Sequence, residues 1–477
     1  MDKNFNHLIN KYHPVQWLFK SVERTRNRDM NDLNVRENMY AKSEFLIIMA
    51  DIALRVSQNT NLNGKIPSHQ EFNDFINLYI NTQMDKSRLL KDYGVIALSL
   101  MIYEQIKFIY PEKNIIARML VLYGEYEREI EKFSGLKIND FLTILLELKG
   151  QYADKDFFIF TSEDITYEEI DGLKSDTVKK FLDYFSITIR EYRLKLKEQG
   201  FDKRQLYSYR LIERYPIIKI DDNKYIVPSI DNFVYSMTSN LNIHLLEYFS
   251  GIGKGRKYHD KLGYKFESYI EKLTTEVFDD IVPAKEIVPK DTLNSEFVIN
   301  HKNISIAVEV KKFIFKRDTA FKSDISDLDE LLERHFVKAF AQIETTFNHI
   351  ENENKIGIIV IFGDLNFHSM LNGYLKEHYP IYYKKDNNGN IKEEISLKYL
   401  ENIIVMSVGA YESLMANCAD DIIEILNIYL KKDISQRGDV IQTITELNKE
   451  ASNKFLNNTF DNAFSTIKLE EHREENY

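Results

Sequence analysis

One nine-residue stretch, Ile304–Lys312 (Ile-Ser-Ile-Ala-Val-Glu-Val-Lys-Lys), limits what this chain can fold into more than any other. Side chains alternate between the two faces of a strand, so odd and even positions separate. One face carries only β-branched apolar residues: Ile304, Ile306, Val308 and Val310. The other begins small, with Ser305 and Ala307, and ends in Glu309 and Lys311. A strand of this composition is buried on both faces. Burying a carboxylate and an ammonium side by side costs free energy unless they bind something. The stretch therefore predicts a central strand with chemistry at its end.

The sequence before it divides in two. Through about residue 205, Gly and Pro are scarce and apolar residues recur at three- and four-residue spacing, which predicts a helical N-terminal domain over 1–205. Ser68 and Glu71 have capping-box spacing after Pro67. Ser175–Gln199 reads as one helix. Residues 206–254 read as a connector: a hairpin with Asp221-Asp222-Asn223 at its turn, then a helix from Ile230 to Phe249. The glycine cluster at 251–255 lacks the Gly-Lys-Ser/Thr ending of a phosphate loop, so a hinge or boundary is expected there.

From residue 255 the order is mixed. A helix is expected over Leu262–Asp280, and strands over Ile281–Val288, Glu296–Asn300 and Ile304–Lys311. A long helix over Leu328–Glu351, a strand at Ile356–Phe362, a helix near Leu365–His378 and a strand at Asn402–Val408 follow. Residues 384–392 read as a surface excursion. The expected fold class is α+β or α/β: a large all-helical N-terminal region, a mixed domain over 255–410, and C-terminal helices over 411–477.

Charge and cysteine usage narrow the function. The net charge is −11 with a pI near 5.6, so nucleic-acid contacts must come from a local basic patch. The single cysteine, Cys418, excludes an intramolecular disulfide and a cysteine-based zinc cluster, and reads as a small core residue. The N-terminus shows no secretion signal, and the apolar run Val95–Tyr103 is too short to span a bilayer. A soluble cytoplasmic protein with no membrane partner is expected.

Four further features gather around Glu309 and Lys311. Glu296 lies on the neighbouring strand, on the face opposite Phe297 and Ile299, where a hairpin brings it beside Glu309. Two converging carboxylates form a hard-oxygen site suited to Mg²⁺ (or Mn²⁺), and an adjacent lysine positions an attacking water. Glu267 flanks the core stripe Phe266, Ile270, Leu273 and Val277; its bland reading is a solvated side chain. On the later helix, His335, Lys338, Gln342, Thr345 and His349 run beside the stripe Leu332, Phe336, Phe340, Ile343 and Phe347, a row suited to a phosphate backbone. Lys254, Arg256, Lys257, Lys261 and Lys265, with Lys312, Lys316 and Arg317, make the segment locally basic.

In this order (helix-Glu, strand-acid, Glu-x-Lys strand, helix-Gln) the residues over 255–410 resemble the PD-(D/E)XK, or restriction-endonuclease-like, nuclease superfamily with its αβββαβ core. By that resemblance Glu267 matches the helix acid, Glu296 the first strand acid, Glu309 and Lys311 the Glu-x-Lys pair, and Gln342 the helix glutamine of some branches. The first strand acid is ordinarily Asp, and Glu296 reaches one methylene further; Asp291 is the alternative but falls in the connecting turn. The resemblance implies metal-dependent phosphodiester hydrolysis, DNA favoured over RNA and endonuclease over exonuclease, as in bacterial anti-phage defence or restriction. Its implied metal ligands are Glu296, Glu309 and Glu267, and its nucleic-acid contacts Lys257, Lys261, Lys312, Lys316, Arg317 and Lys338. The N-terminal helices would then sense, bind a partner protein or form a homo-oligomer. The rivals are a site-specific restriction or transposon-type endonuclease and a catalytically inactive nucleic-acid-binding scaffold.

Overall fold

The protein is described from a computed structural model covering residues 3–26, 43–62, 64–84, 111–154, 159–165, 174–198, 211–312, 330, 332–363, 368–386, 388–433 and 437–465. Lys316, Arg317, Val95–Tyr103 and the start of the helix expected at Leu328 lie outside these residues. The chain is a mixed α+β protein that splits into two compact units. The first comprises Met1–Ser87, Tyr123–Gly255 and Asp461–Tyr477, and the second Arg88–Leu122 and Arg256–Phe460. The division between the units falls at Gly255, in the glycine cluster 251–255. The helix at Glu112–Tyr123, grouped by sequence with the N-terminal helices, belongs up to Leu122 to the second unit, as do the helices from residue 411 to Phe460.

The first unit corrects the all-helical expectation. It holds a four-stranded sheet built from β1 (Ile159–Phe160), β2 (Ser186–Thr188), β3 (Ile217–Asp221) and β4 (Lys224–Ile226), in the order β1-β4-β3-β2. The predicted hairpin is β3–β4, and β1 and β2 add to its edges, β2 parallel to β3. The helix expected over Ser175–Gln199 is thus broken: helix Ser175–Phe185, strand β2, helix Ile189–Glu198. The connector helix is likewise two, Ile230–Met237 and Leu241–Gly251. The other described elements of 1–205 are helical. Trp17 is fully buried against Phe72 and Phe75, its indole N–H donating to the Ile9 carbonyl at 3.0 Å. The Ser68–Glu71 capping box closes in both directions, at 3.2 and 2.8 Å.

In the second unit, helix α1 (Gly255–Thr275) leads into a five-stranded sheet of β5 (Ile281–Pro283), β6 (Phe297–His301), β7 (Ile304–Lys311), β8 (Asn354–Ile361) and β11 (Ile403–Ser407). Its order is β11-β8-β7-β6-β5, so β7 is central. β5, β6 and β7 form an antiparallel meander, whereas β8 and β11 run parallel to β7. The long strand expected over Ile281–Val288 stops at Pro283 and continues as a helical turn, Ala284–Ile287. Every residue of β7 from Ile304 to Val310 is buried, as its composition demands. Helix α2 (Lys338–Phe347), preceded by a π-helical turn at Glu333–Val337, crosses from β7 to β8. After the helix His368–His378, the excursion at 384–392 is the tip of a separate hairpin, β9 (Ile381–Lys385) and β10 (Ile391–Ser396).

The core between α2 and the sheet contains Ala307, Phe336, Phe340, Ile343, Phe347, Ile359, Ile403 and Val405. Close approach is paid for with a side chain: a Cβ on Gly357 would stand 2.8 Å from both Ile343 and Ile403. A buried polar knot ties down the far side, where Glu412 on the helix Val408–Leu414 accepts from Arg118 at 3.0 Å and from the Tyr269 hydroxyl at 2.6 Å. Cys418 departs from expectation: it is exposed, preceding the helix Ala419–Lys431, with its thiol on Asp421 at 3.1 Å. No described helix is long and apolar enough to cross a membrane.

The packing at Gly357 gives a stability prediction. Gly357→Ala forces Ile343 or Ile403 out of place and costs about 1–3 kcal/mol by urea unfolding. Gly373→Ala, in open space on the helix His368–His378, is neutral or stabilising by up to about 1 kcal/mol. Equal effects at the two positions would contradict the packing account.

Candidate functional site

The antiparallel register of β6 and β7 pairs Phe297 with Val308 and ends at His301 opposite Ile304. The paired register stops at Phe297, one residue short of Glu296. The Glu296 charge nonetheless acts on the Glu309 carboxyl, so the two side chains lie near one another. The Glu296 backbone is held from β7 and from the helical turn after β5: its N–H donates to Val308 O at 3.0 Å, and its carbonyl accepts from Ala284 N at 3.1 Å. Asp291 is not part of the group. It is exposed in the turn before, with φ +65°.

Glu309 is fully buried and Lys311 retains 18 % exposure. The Lys311 ammonium donates to Glu309 Oε1 and, at 2.7 Å, to Gln342 Oε1. The other half of the Gln342 amide donates from Nε2 to the Asn294 carbonyl at 2.7 Å. Both ends of the amide are therefore committed, which sets its orientation and aims its oxygen at the lysine. Four residues on, Thr346 accepts from the Ser295 N–H at 3.0 Å and contacts Ser295 Oγ at 3.1 Å. Gln342 and Thr346 together strap residues 294–295, and with them Glu296, onto α2. Sequence reasoning found Gln342 and missed Asn294, Ser295 and Thr346. Thr346 lies one helical turn from Gln342, a spacing that could have flagged it.

The charges in this group perturb one another. Burial pushes the Glu309 carboxyl up to about 8; Lys311 opposes the shift, and Glu296 and Glu267 add to it. Burial also raises Glu267, to about 7, with Glu296 contributing and Lys311 opposing. Glu296 is raised by burial too, against Lys311 and with a contribution from Glu271. The three acids thus share one electrostatic neighbourhood. Glu271, one turn beyond Glu267 on α1, is a fourth acid that the sequence reading passed over.

Glu309 Oε2 is buried and has no hydrogen-bond partner within the protein. A buried carboxylate oxygen of this kind is a costly feature and a suitable ligand for a hard cation. Among the described residues, no group of three or more His, Cys, Asp or Glu side chains is arranged to hold a metal by itself. Mg²⁺ ordinarily takes one or two protein carboxylates and completes its shell with water and phosphate oxygens, so Glu309 and Glu296 are the residues that could hold one. This pair does not match a closed zinc site.

The basic candidates separate. Lys257 and Lys261 on α1, and Lys338 at the start of α2, are exposed. Lys338 is lowered by burial of its stem and by Lys311 nearby, with Glu309 opposing. His335, on the π-helical turn, is lowered to about 4 by burial and by the surrounding cations Arg334, Lys311 and Lys338, with His259 adding. Two other lysines are committed elsewhere. Lys312 donates to the His259 carbonyl, and burial lowers it to about 8. Lys265 donates to Leu122 O at 3.0 Å. The polar row on α2 is also shorter than expected, because Thr345 is buried with its hydroxyl on the Ala341 carbonyl at 2.9 Å. His349 is exposed.

The raised carboxyl gives a pH prediction. A folded pKa near 8 lies well above the unfolded value, so the native state holds the extra proton between those limits. Stability then falls as pH rises through them. In EDTA, Glu309→Gln should unfold at a higher denaturant midpoint than wild type at pH 9. The gap should close towards pH 5, a change on the order of a few kcal/mol. A gap independent of pH would contradict a buried, proton-retaining Glu309. Compared with protein-family models, with curated proteins and with solved structures, the chain finds no match, so its functional reading rests on its own residues.

Proposed function

We propose that this protein is a metal-dependent nuclease that hydrolyses phosphodiester bonds of DNA, with its site at the end of β7. The observation that carries the reading is Glu309: a fully buried carboxylate with one oxygen on Lys311 and the other without a protein partner. The element order supports it as well. Helix α1, the antiparallel strands β5–β6–β7, helix α2 and parallel β8 follow the αβββαβ sequence of the superfamily that these residues resemble.

Glu309 and Glu296 would hold Mg²⁺ or Mn²⁺, with Glu267 at the margin. The bound ion supplies Lewis-acid polarisation and offsets charge building up on the phosphoryl oxygens. Lys311 orients the attacking water towards phosphorus and balances negative charge there. Gln342 keeps the lysine in that position by accepting from its ammonium while gripping Asn294. As the oxygen of water bonds to phosphorus in line, the opposite P–O bond breaks; one proton of the water ends on the leaving oxygen and the other passes to solvent. Lys257, Lys261 and Lys338 contribute phosphate contacts around the site. A role in anti-phage defence or restriction rests on the resemblance alone.

A second reading, an inactive nucleic-acid-binding scaffold, is favoured by one observation: among the described residues, no three or more His, Cys, Asp or Glu side chains are grouped to hold a metal. Cleavage of plasmid, single-stranded DNA and RNA with Mg²⁺, Mn²⁺ or EDTA decides between them. Cleavage requires metal and falls at least about 100-fold in Glu309→Ala and Lys311→Ala, and about 10–100-fold in Gln342→Ala. Activity that survives in EDTA or in both variants removes the site assignment. Binding without cleavage under every metal supports the scaffold.

A further inference from the structure

The hairpin β9–β10 belongs to neither layer of the five-stranded sheet. Its base is anchored: Ile395 and Leu397 join the core beneath α2, Tyr382 packs against them, and Leu397 N donates to Pro380 O at 3.0 Å. The pairing places Lys385 opposite Ile391 and Tyr383 opposite Glu394, so these four share the outward face. Tyr383 is 39 % exposed and Ile391 54 %. Lys385 and Lys392 are exposed as well.

Charge is graded along this arm. Residues 384–392 at the tip carry three lysines against one aspartate, a net +2 in a chain of net −11. The acids Glu393 and Glu394 sit towards the base, and Glu393 is paired with Lys384 at 3.5 Å. The aspartate at the tip, Asp386, is turned inward. It accepts from the backbone N–H groups of Asn388 and Asn390 at 2.8 and 2.9 Å and from the Asn390 amide at 3.3 Å. Gly389 takes φ +84° here, and Lys385, Asn388, Asn390 and Lys392 are exposed. Lys384 also donates to the Asp291 carbonyl at 3.0 Å, tying the arm to the loop that runs into Glu296.

We propose that the hairpin Ile381–Ser396 is a ribbon that enters the groove of duplex DNA, making duplex DNA the substrate class of the nuclease site. This rests on the nuclease reading. A two-stranded ribbon fits the major groove, which is about 12 Å wide. Lys385 and Lys392 meet phosphates, the Asn388 amide meets a base edge, and the exposed Ile391 suits a thymine methyl. Single strands, by contrast, are held on successive aromatic platforms in basic channels, whereas the outward face of the arm carries a single exposed aromatic, Tyr383.

The test is equilibrium binding in EDTA, so that cleavage plays no part, using a labelled 30-base-pair duplex and one of its strands alone. The Lys385→Ala/Lys392→Ala double variant should weaken duplex binding about ten-fold near 0.1 M salt and reduce the salt slope by about two. Binding of the single strand should change far less. Lys376→Ala, an exposed lysine paired with Glu401, serves as the control and should change nothing. Unchanged duplex binding, or equal losses on both probes, overturns the proposal. So does a double variant that alters the oligomeric state by sedimentation while duplex binding stays constant, because the ribbon then docks a second copy. If the wild type binds duplex through the tip but never cleaves it with Mg²⁺, the nuclease reading fails and the ribbon stands. If it cleaves and the tip variant is indifferent, the ribbon alone fails.

Discussion

The contact between Lys311 and the buried carboxylate of Glu309 is the constraint around which the second unit is arranged. An acid with no exposed surface on the middle strand of a sheet is tolerated only with a compensating partner, since leaving it unpaired costs several kcal/mol. Lys311 supplies that partner from two residues along the same strand. Gln342 then holds Lys311 from α2, and Asn294 holds Gln342 from the segment entering β6. One chain of hydrogen bonds therefore joins β7, α2 and the approach to β6, and it carries Glu296 to the same place. The absence of a side chain at Gly357 lets α2 lie close enough to the sheet for this chain to close.

Stability and function pull against each other at this point. An apolar residue in place of Glu309 would pack without a desolvation cost, and burial already drives its carboxyl towards the neutral form. Expensive ionisable groups gathered in one neighbourhood, each with a shifted titration, are the usual mark of chemistry. Here three acids, Glu267 on α1, Glu296 and Glu309, are all raised in one electrostatic neighbourhood, and the Glu309 Oε2 atom has no hydrogen-bond partner within the protein.

Much of this was legible in the sequence because it follows from strict periodicities. The two-residue period of β7 sorted Glu309 and Lys311 onto one face, and the short turn at His301-Lys302-Asn303 announced the β6–β7 hairpin whose register ends beside Glu296. The helical period placed Gln342 beside the stripe that α2 buries. What escaped depends on neighbours distant in sequence. β1 and β2 are two and three residues long, and they are strands only because the β3–β4 hairpin offers them edges. The fates of Lys312 and Lys265 were hidden for the same reason, since each is taken up by a backbone carbonyl that no local pattern announces. Cys418 read as a core residue by its type, yet it stands exposed at a helix entrance where its thiol meets Asp421.

The central claim is that Glu309 and Glu296 present a divalent-cation site beside Lys311. Anomalous scattering from crystals grown or soaked with Mn²⁺ tests it most directly. The account predicts a peak within bonding distance of Glu309 Oε2 and the Glu296 carboxylate, with the Lys311 ammonium nearby, and its disappearance in crystals of Glu309→Gln. A fully occupied Mn²⁺ elsewhere in the second unit, or a peak that persists without the Glu309 carboxylate, would contradict it.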